Sequence, residues 1–370
     1  MSRIGRWKLR RFIKRASVGV AVVVVVIVAV GMAVLYDKGL PTYEVDVAPI
    51  EAAPTPARLD RGERLAAMLC RRCHADMRRD VLVGRDLPEL AQWGSIHGAN
   101  LTQDAEHGIG TWSAGELVYV LRTGVQPKTG RMMPPYMIRL PRAADEDLLA
   151  IVAFLQSDHP WVAADATIDP PSTPALGVRL RALVDWKPSG MPARPIESPS
   201  SIDPVALGRY LVEDLLGCYG CHSPESDGIE PPAEVEHFLA GDRALLDING
   251  KKIASRNLTL DLDAGIGRWT YPEFRRALVD GFRPDGTLVR WPMRRHQQLQ
   301  EHEVEAIFAY LQQVRADPTK PRASEPYKIV GPRADPGAHV FHKHGCHYCH
   351  GENGSGLAHA SADFASDAEM

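Results

Sequence analysis

Cysteine is scarce in this chain of 370 residues: there are six, and none lies outside a C-x-x-C pair. Every thiol is therefore committed to one of three short motifs. Catalytic signatures are missing as well, because no nucleophile triad, phosphate loop or dinucleotide fingerprint occurs. Gly108-Ile109-Gly110 comes nearest to G-x-G-x-x-G, but Ser113 stands where the third glycine is required, and no strand pattern precedes it. Acidic residues are absent from 1–16, and charge of either sign is absent from 17–36.

What the chain holds instead is C-x-x-C-H three times: Cys70-Arg71-Arg72-Cys73-His74, Cys218-Tyr219-Gly220-Cys221-His222 and Cys346-His347-Tyr348-Cys349-His350. This is the pattern that attaches c-type haem. The two cysteines form thioethers to the vinyl groups, and the adjacent histidine lies under the iron as proximal ligand. A thioredoxin-like pair, disulfides and zinc are the competing readings of one such motif. Zinc built from C-x-x-C normally needs a second pair at finger or ribbon spacing, whereas these pairs lie 148 and 128 residues apart, each with its own histidine. Haem is the reading that the three copies favour.

Residues 1–16 carry Arg3, Arg6, Lys8, Arg10, Arg11, Lys14 and Arg15, and the valine-rich run 17–36 follows. About 20 apolar residues suffice to cross a bilayer as a helix, and the run exceeds the core of a typical signal peptide. The basic flank is expected to stay in the cytoplasm, which places the rest of the chain beyond the membrane. A long cleaved signal peptide is the alternative, and both export the same domains. Leaving out those seven basic residues takes Lys+Arg from 43 to 36 against 46 Asp+Glu, a formal charge of about −10. Nucleic acid is thereby an unfavoured partner, and a basic redox protein a compatible one.

Comparison of the stretches after the first two haem motifs exposes a repeat. Asn100-Leu101-Thr102, Gly108-Ile109-Gly110 and Trp112 recur at the same spacing as Asn257-Leu258-Thr259, Gly265-Ile266-Gly267 and Trp269. Glu116 and Gly124 match Glu273 and Gly281. Leu148, Ile151, Val152 and Leu155 match Val304, Ile307, Phe308 and Leu311 at helical intervals. The expected organisation is a basic flank (1–16), a transmembrane anchor (17–36), a linker (37–57), a first module (58–160), a proline-rich linker (161–202), a second module (203–318), a linker (319–334) and a partial third module (335–370). Both proline-rich stretches read as extended spacers rather than core.

Each module reads as helix, haem motif, loop, helix, methionine loop, helix, and so resembles class I cytochrome c. The N-L-T and G-I-G-x-W block resembles the triheme cytochrome c subunits of membrane-bound alcohol and sugar-acid dehydrogenases. That resemblance implies a mainly α protein with tandem cytochrome c-like domains, three covalent haems and attachment in a bacterial periplasm. It also implies a dehydrogenase as redox partner, and the run 17–36 then reads as a single span in the inner membrane.

A low-spin electron-transfer haem needs a sixth ligand, and a methionine thioether raises its potential. Met293 is the only methionine between the second and third motifs, with His296 in reserve. For the first haem, Met132, Met133 and Met137 compete. Met137 precedes Leu148 by 11 residues, as Met293 precedes Val304 by 11, so spacing favours Met137 and leaves Met133 second. The expected ligand pairs are His74/Met137 and His222/Met293. The third module has only 20 residues after His350, where the others needed 63 and 71 to reach their methionines. Met370 aligns with a core position, and His359 is the one histidine there that could face the iron.

These features predict a membrane-anchored periplasmic electron carrier between a dehydrogenase and a quinone or terminal oxidase, not an enzyme in itself. Two alternatives hang on the third module. Its open iron could serve ligand sensing or peroxide chemistry, or a partner chain could complete it.

Overall fold

Thr55 ends an extended approach and starts the first helix, α1 (Pro56–Leu69): its hydroxyl accepts from the Arg58 amide at 3.3 Å, and Pro56 occupies the first turn, where no amide is needed. The computed structural model describes residues 39–321 except 77–78, 135, 185, 225, 227–231, 247–251, 288 and 290–291, together with 17, 19–26 and 31. Within that range the chain is mainly helical, with α2 (Arg71–His74), α3 (Ala114–Thr123), α4 (Asp145–Leu155), α5 (Leu176–Val184), α6 (Pro204–Tyr210), α7 (Tyr219–His222), α8 (Tyr271–Arg275) and α9 (Glu301–Leu311). Two short antiparallel ribbons complete it: β1 (Gly94–Ser95) with β2 (Thr173–Pro174), and β3 (Ala244–Leu246) with β4 (Lys252–Ala254).

The repeat takes physical form in two helix crossings. A Cβ placed on Gly62 of α1 would lie 2.0 Å from the Ala150 carbonyl oxygen of α4, and one on Gly208 of α6 would lie 1.9 Å from the Ala306 oxygen of α9. Only glycine lets the backbones meet so closely. The repeated acids and glycines have a local cause too. Ser113 with Glu116 and Thr270 with Glu273 form capping boxes on α3 and α8. Gly124 and Gly281 follow in the left-handed region, at φ +72° and +82°.

One irregularity distinguishes the modules. Gly62 stands eight residues before Cys70, but Gly208 stands ten before Cys218. A π-helical turn over Leu211–Leu215, followed by Gly217 at φ +60°, takes up that excess, so that both haem motifs still leave the end of their first helix.

The modules are not beads on a string. One buried cluster draws on α1, α3 and α4 of the first and on α6, α8 and α9 of the second. Polar contacts cross the same boundary in a pseudo-twofold pattern, because Asp147 and Glu303 occupy equivalent positions in α4 and α9. Arg64 reaches Glu303 at 3.2 Å, while the Tyr210 hydroxyl donates to Asp147 at 2.6 Å. Arg61 joins both, bonding Asp147 at 2.7 Å and pairing with Glu303. Burial opposes its charge, but the two carboxylates outweigh this and hold the guanidinium above its ordinary pKa.

The spacer reading of the proline-rich stretches is corrected. Leu40, Val178, Ala182 and Trp186 bury with Met132 in a second cluster, against which Tyr43, Trp93 and Ala175 pack. Leu176 to Trp186 has enough aliphatic and aromatic side chain to form a helix and cover the first module, and the prolines lie around that segment. Of the run 17–36, residues 17, 19–26 and 31 are described and helical, and Val20 and Val22 to Val26 are exposed. Among the described residues no helix is long and apolar enough to cross a membrane.

Candidate haem sites

Cys70, Cys73 and His74 stand at i, i+3 and i+4 on one helical turn, with the Cys73 and His74 amides donating back to the Cys70 carbonyl at 3.1 Å. That spacing puts two sulfurs and an imidazole on one face. Cys218, Cys221 and His222 repeat the turn, at 3.2 and 2.9 Å. All four cysteines are free. Burial pushes the Cys70 thiol up to about 12, with the neighbouring Cys73 adding to it, and burial pushes Cys218 up to about 12 likewise. A redox-active C-x-x-C pair needs the opposite shift. Among the described residues no group of three or more His, Cys, Asp or Glu converges as a metal site, so the zinc reading gains no geometry.

The imidazoles are held in one tautomer. His74 Nδ1 lies 2.7 Å from the Ala99 carbonyl oxygen and His222 Nδ1 lies 2.7 Å from that of Arg256. A carbonyl only accepts, so Nδ1 carries the hydrogen and Nε2 keeps its lone pair. Burial holds both rings below the ordinary histidine pKa despite that bond, which keeps them neutral.

Ala99 and Arg256 immediately precede the two N-L-T blocks, and this gives the blocks their purpose. Asn100 donates through its amide to the Asp165 and Thr167 carbonyls at 2.8 and 3.0 Å, and its own oxygen takes the Thr102 amide at 2.9 Å. Asn257 does the same to Asp317 and Thr319, at 2.8 and 3.0 Å. The block thus hooks the segment that follows each last helix and fixes the carbonyl that orients His74 or His222. Its partner, Asp-x-Thr at 165–167 and 317–319, was overlooked by sequence reasoning, although it is itself a repeat.

These aspartates give a pH dependence. The Thr167 hydroxyl, above all, holds Asp165 below its ordinary pKa; at Asp317 burial works the other way but is outweighed by Thr319 and His237. A depressed folded pKa means stability present above about pH 3.9 and lost as pH falls through the folded value. Asp165→Asn and Asp317→Asn are each expected to flatten the acid limb of a stability-versus-pH curve below about pH 4. Unchanged acid limbs in both variants would count against the hook.

A cavity opens beside the second motif. It offers about 230 Å³ to the centre of a water molecule, which is ligand-sized rather than a packing gap. Cys218, Cys221 and His222 line it, as do Met293, His296, Ile266 and Trp269. An apolar cleft with two sulfurs, one imidazole with a free lone pair and a thioether suits haem c. Burial, then Arg294 and His222, pushes His296 down to about 3.

The methionine loops are bracketed alike. Met133 and Val289 donate their amides to the Gly124 and Gly281 carbonyls at 2.6 and 2.8 Å; Leu140 and His296 donate to Leu121 and Leu278 at 2.7 and 2.8 Å. Met137 and Met293 fall at the same place between these bonds. Met133 corresponds to Val289, which has no ligating atom, and His296 corresponds to Leu140, a core residue. Met132 is fully buried in the second cluster. Cys346, Cys349, His350, His359 and Met370 lie outside the described residues.

Sequence reasoning also missed how the two sites meet. Arg72, from the first haem motif, lines the second module's cavity, and Arg294, from the second methionine loop, donates to the Met68 carbonyl at the end of α1. Arg294 lies close enough to Arg72 for the two positive charges to oppose each other. Its pKa falls to about 10, burial being the main cause.

No protein-family model matches the chain. It is 31% identical over 323 residues to the gluconate 2-dehydrogenase cytochrome c subunit of Pantoea cypripedii, covering 82% of this chain and 71% of that one. The chain belongs to the family of dehydrogenase cytochrome c subunits. This cytochrome is also 28% identical over 320 residues to the cytochrome c subunit of a quinone-dependent alcohol dehydrogenase from Gluconobacter oxydans, of which it spans 65%. A diheme c-type cytochrome of Cereibacter sphaeroides is 29% identical over 271 residues, 86% of its own length and 69% of this chain. Haem c is therefore the cofactor that this family membership implies, and a cytochrome c of this family carries electrons rather than turning over a substrate.

Proposed function

We propose that this cytochrome is anchored in a bacterial inner membrane by 17–36 and relays electrons in the periplasm from a dehydrogenase to a quinone or terminal oxidase, with three haems per chain. When bound, haem c supplies reversible one-electron transfer at iron. The observation that carries the reading is the meeting of the two haem motifs at Arg72 and Arg294, an arrangement that suits transfer from one module to the next. The exposed valines of 20–26 and the dehydrogenase relatives support the anchor and the donor.

The residues divide the work. Cys70, Cys73, Cys218, Cys221, Cys346 and Cys349 attach the groups; His74, His222 and His350 are proximal ligands; Met137 and Met293 complete the first two sites. Arg294 is a half-buried cation between two sites, with no carboxylate at salt-bridge distance among the described residues. It favours the electron-rich state of both neighbours.

The direct test is copurification of the solubilised protein with its native partners, their identification, and addition of the donor enzyme's substrate. Reduction of the haem α-bands is expected; oxidised bands in the presence of an active donor would end the proposal. A pyridine haemochrome count of three per chain is expected. For the second site, Met293→Leu should produce a high-spin, CO-binding haem while His296→Leu stays low-spin, read from the Soret band. The reverse pattern would make His296 the ligand.

A further inference from the structure

Helix α5 presents an unusual face. It buries Val178, Arg179 and Ala182 against the first module but leaves Leu176, Leu180, Leu183 and Val184 exposed, at 37, 42, 44 and 76%. Arg181, whose guanidinium lies 4.5 Å over the Trp186 ring, and Lys187, which donates to the Leu183 carbonyl, flank that face and are exposed, and Asp185 is the only acid in 176–187. Four aliphatic side chains along one side of a nine-residue helix are costly to leave in water.

Position says what covers them. Leu40 packs in one cluster with Val178 and Ala182, on the buried side of α5. If 17–36 crosses the bilayer, Leu40 lies four residues beyond its last member. At about 3.5 Å per residue they reach roughly 14 Å at full extension. A helix is about 10 Å across. The exposed side of α5 is thus tethered within reach of the headgroup region, and aliphatic residues with basic neighbours are the composition of a helix that lies in that interface.

We propose that α5 is an interfacial membrane helix, with Leu176, Leu180, Leu183 and Val184 inserted among the acyl chains and Arg181 and Lys187 at the headgroups. It rests on the anchor reading of 17–36. Its effect is to hold the first module flat on the membrane, so that the haem sites keep a fixed height above the lipid.

The test uses the full-length haem-loaded chain in vesicles of phosphatidylcholine and phosphatidylglycerol, spin-labelled at Leu180→Cys or Val184→Cys, with Leu262→Cys of the second module as an exposed control. The expected result is label mobility loss and several-fold greater accessibility to oxygen than to a water-soluble nickel chelate at 180 and 184, and the reverse at 262. Vesicle flotation separates the two readings. A chain that floats while both α5 labels report water overturns the interfacial helix and leaves the anchor standing. Failure to float overturns the anchor and this inference with it. Labels shielded from both reagents mean that protein covers the face, which also overturns it.

Discussion

Gly62→Val is expected to destabilise the first module by about 3 kcal/mol or more, seen as a large fall in the thermal midpoint and as loss of haem attachment at Cys70 and Cys73. The added Cβ would meet a backbone carbonyl at 2.0 Å and the Phe154 Cβ at 2.7 Å, neither of which can swing aside. Relief requires α1 and α4 to separate, and α1 ends at the first haem motif, so the damage passes directly to the site. Gly208→Val should do the same to the second module, where the Ala306 oxygen lies at 1.9 Å. Gly177→Ala is the control: nothing lies within 4 Å of its Cβ, and an exposed helical glycine replaced by alanine gains about 0.5–1 kcal/mol. A Gly62→Val protein with native stability would show that the crossing is not tight.

Arg61→Met is expected to cost about 2–4 kcal/mol at neutral pH, because it strips a shared cation from the buried Asp147 and Glu303. Arg64 and Tyr210 still bond those carboxylates, which keeps the loss towards the lower end. The sign of the pH effect follows. The cost is that of burying negative charge without its counter-charge, so it applies while the pair is ionised and shrinks in acid. Denaturant melts across pH should show a deficit that narrows in acid, and Asp147→Asn in the Arg61→Met background should recover part of the loss. A deficit independent of pH would reassign Arg61 to packing alone.

Much of the geometry around the cysteine motifs was legible in the sequence because it is local. Cys70, Cys73 and His74 belong to one helical turn, and so do the capping pairs Ser113/Glu116 and Thr270/Glu273; no distant residue is needed to see them. Met137 was favoured over Met133 by counting from the last helix, and the paired backbone bonds to Gly124 and Gly281 give the same correspondence from the other side. The carbonyls of Ala99 and Arg256 could not be anticipated, since nothing in a residue type says where its main-chain oxygen will point. Nor could the spacer 161–202 be read correctly. Its prolines suggested extension, but the apolar side chains of α5 and Trp186 found a partner surface in Leu40 and Met132.

By itself the sequence determined the cofactor class, the cysteine and histidine turns, the helical module and its repetition, because each rests on short-range spacing that any helix imposes. Only the tertiary structure decided that two modules share one core, that Arg72 and Arg294 cross between their haem sites, and that Asp147 and Glu303 face a common arginine. The polar contacts among them join residues from 63 to 242 positions apart. Burial, not proximity along the chain, selects them.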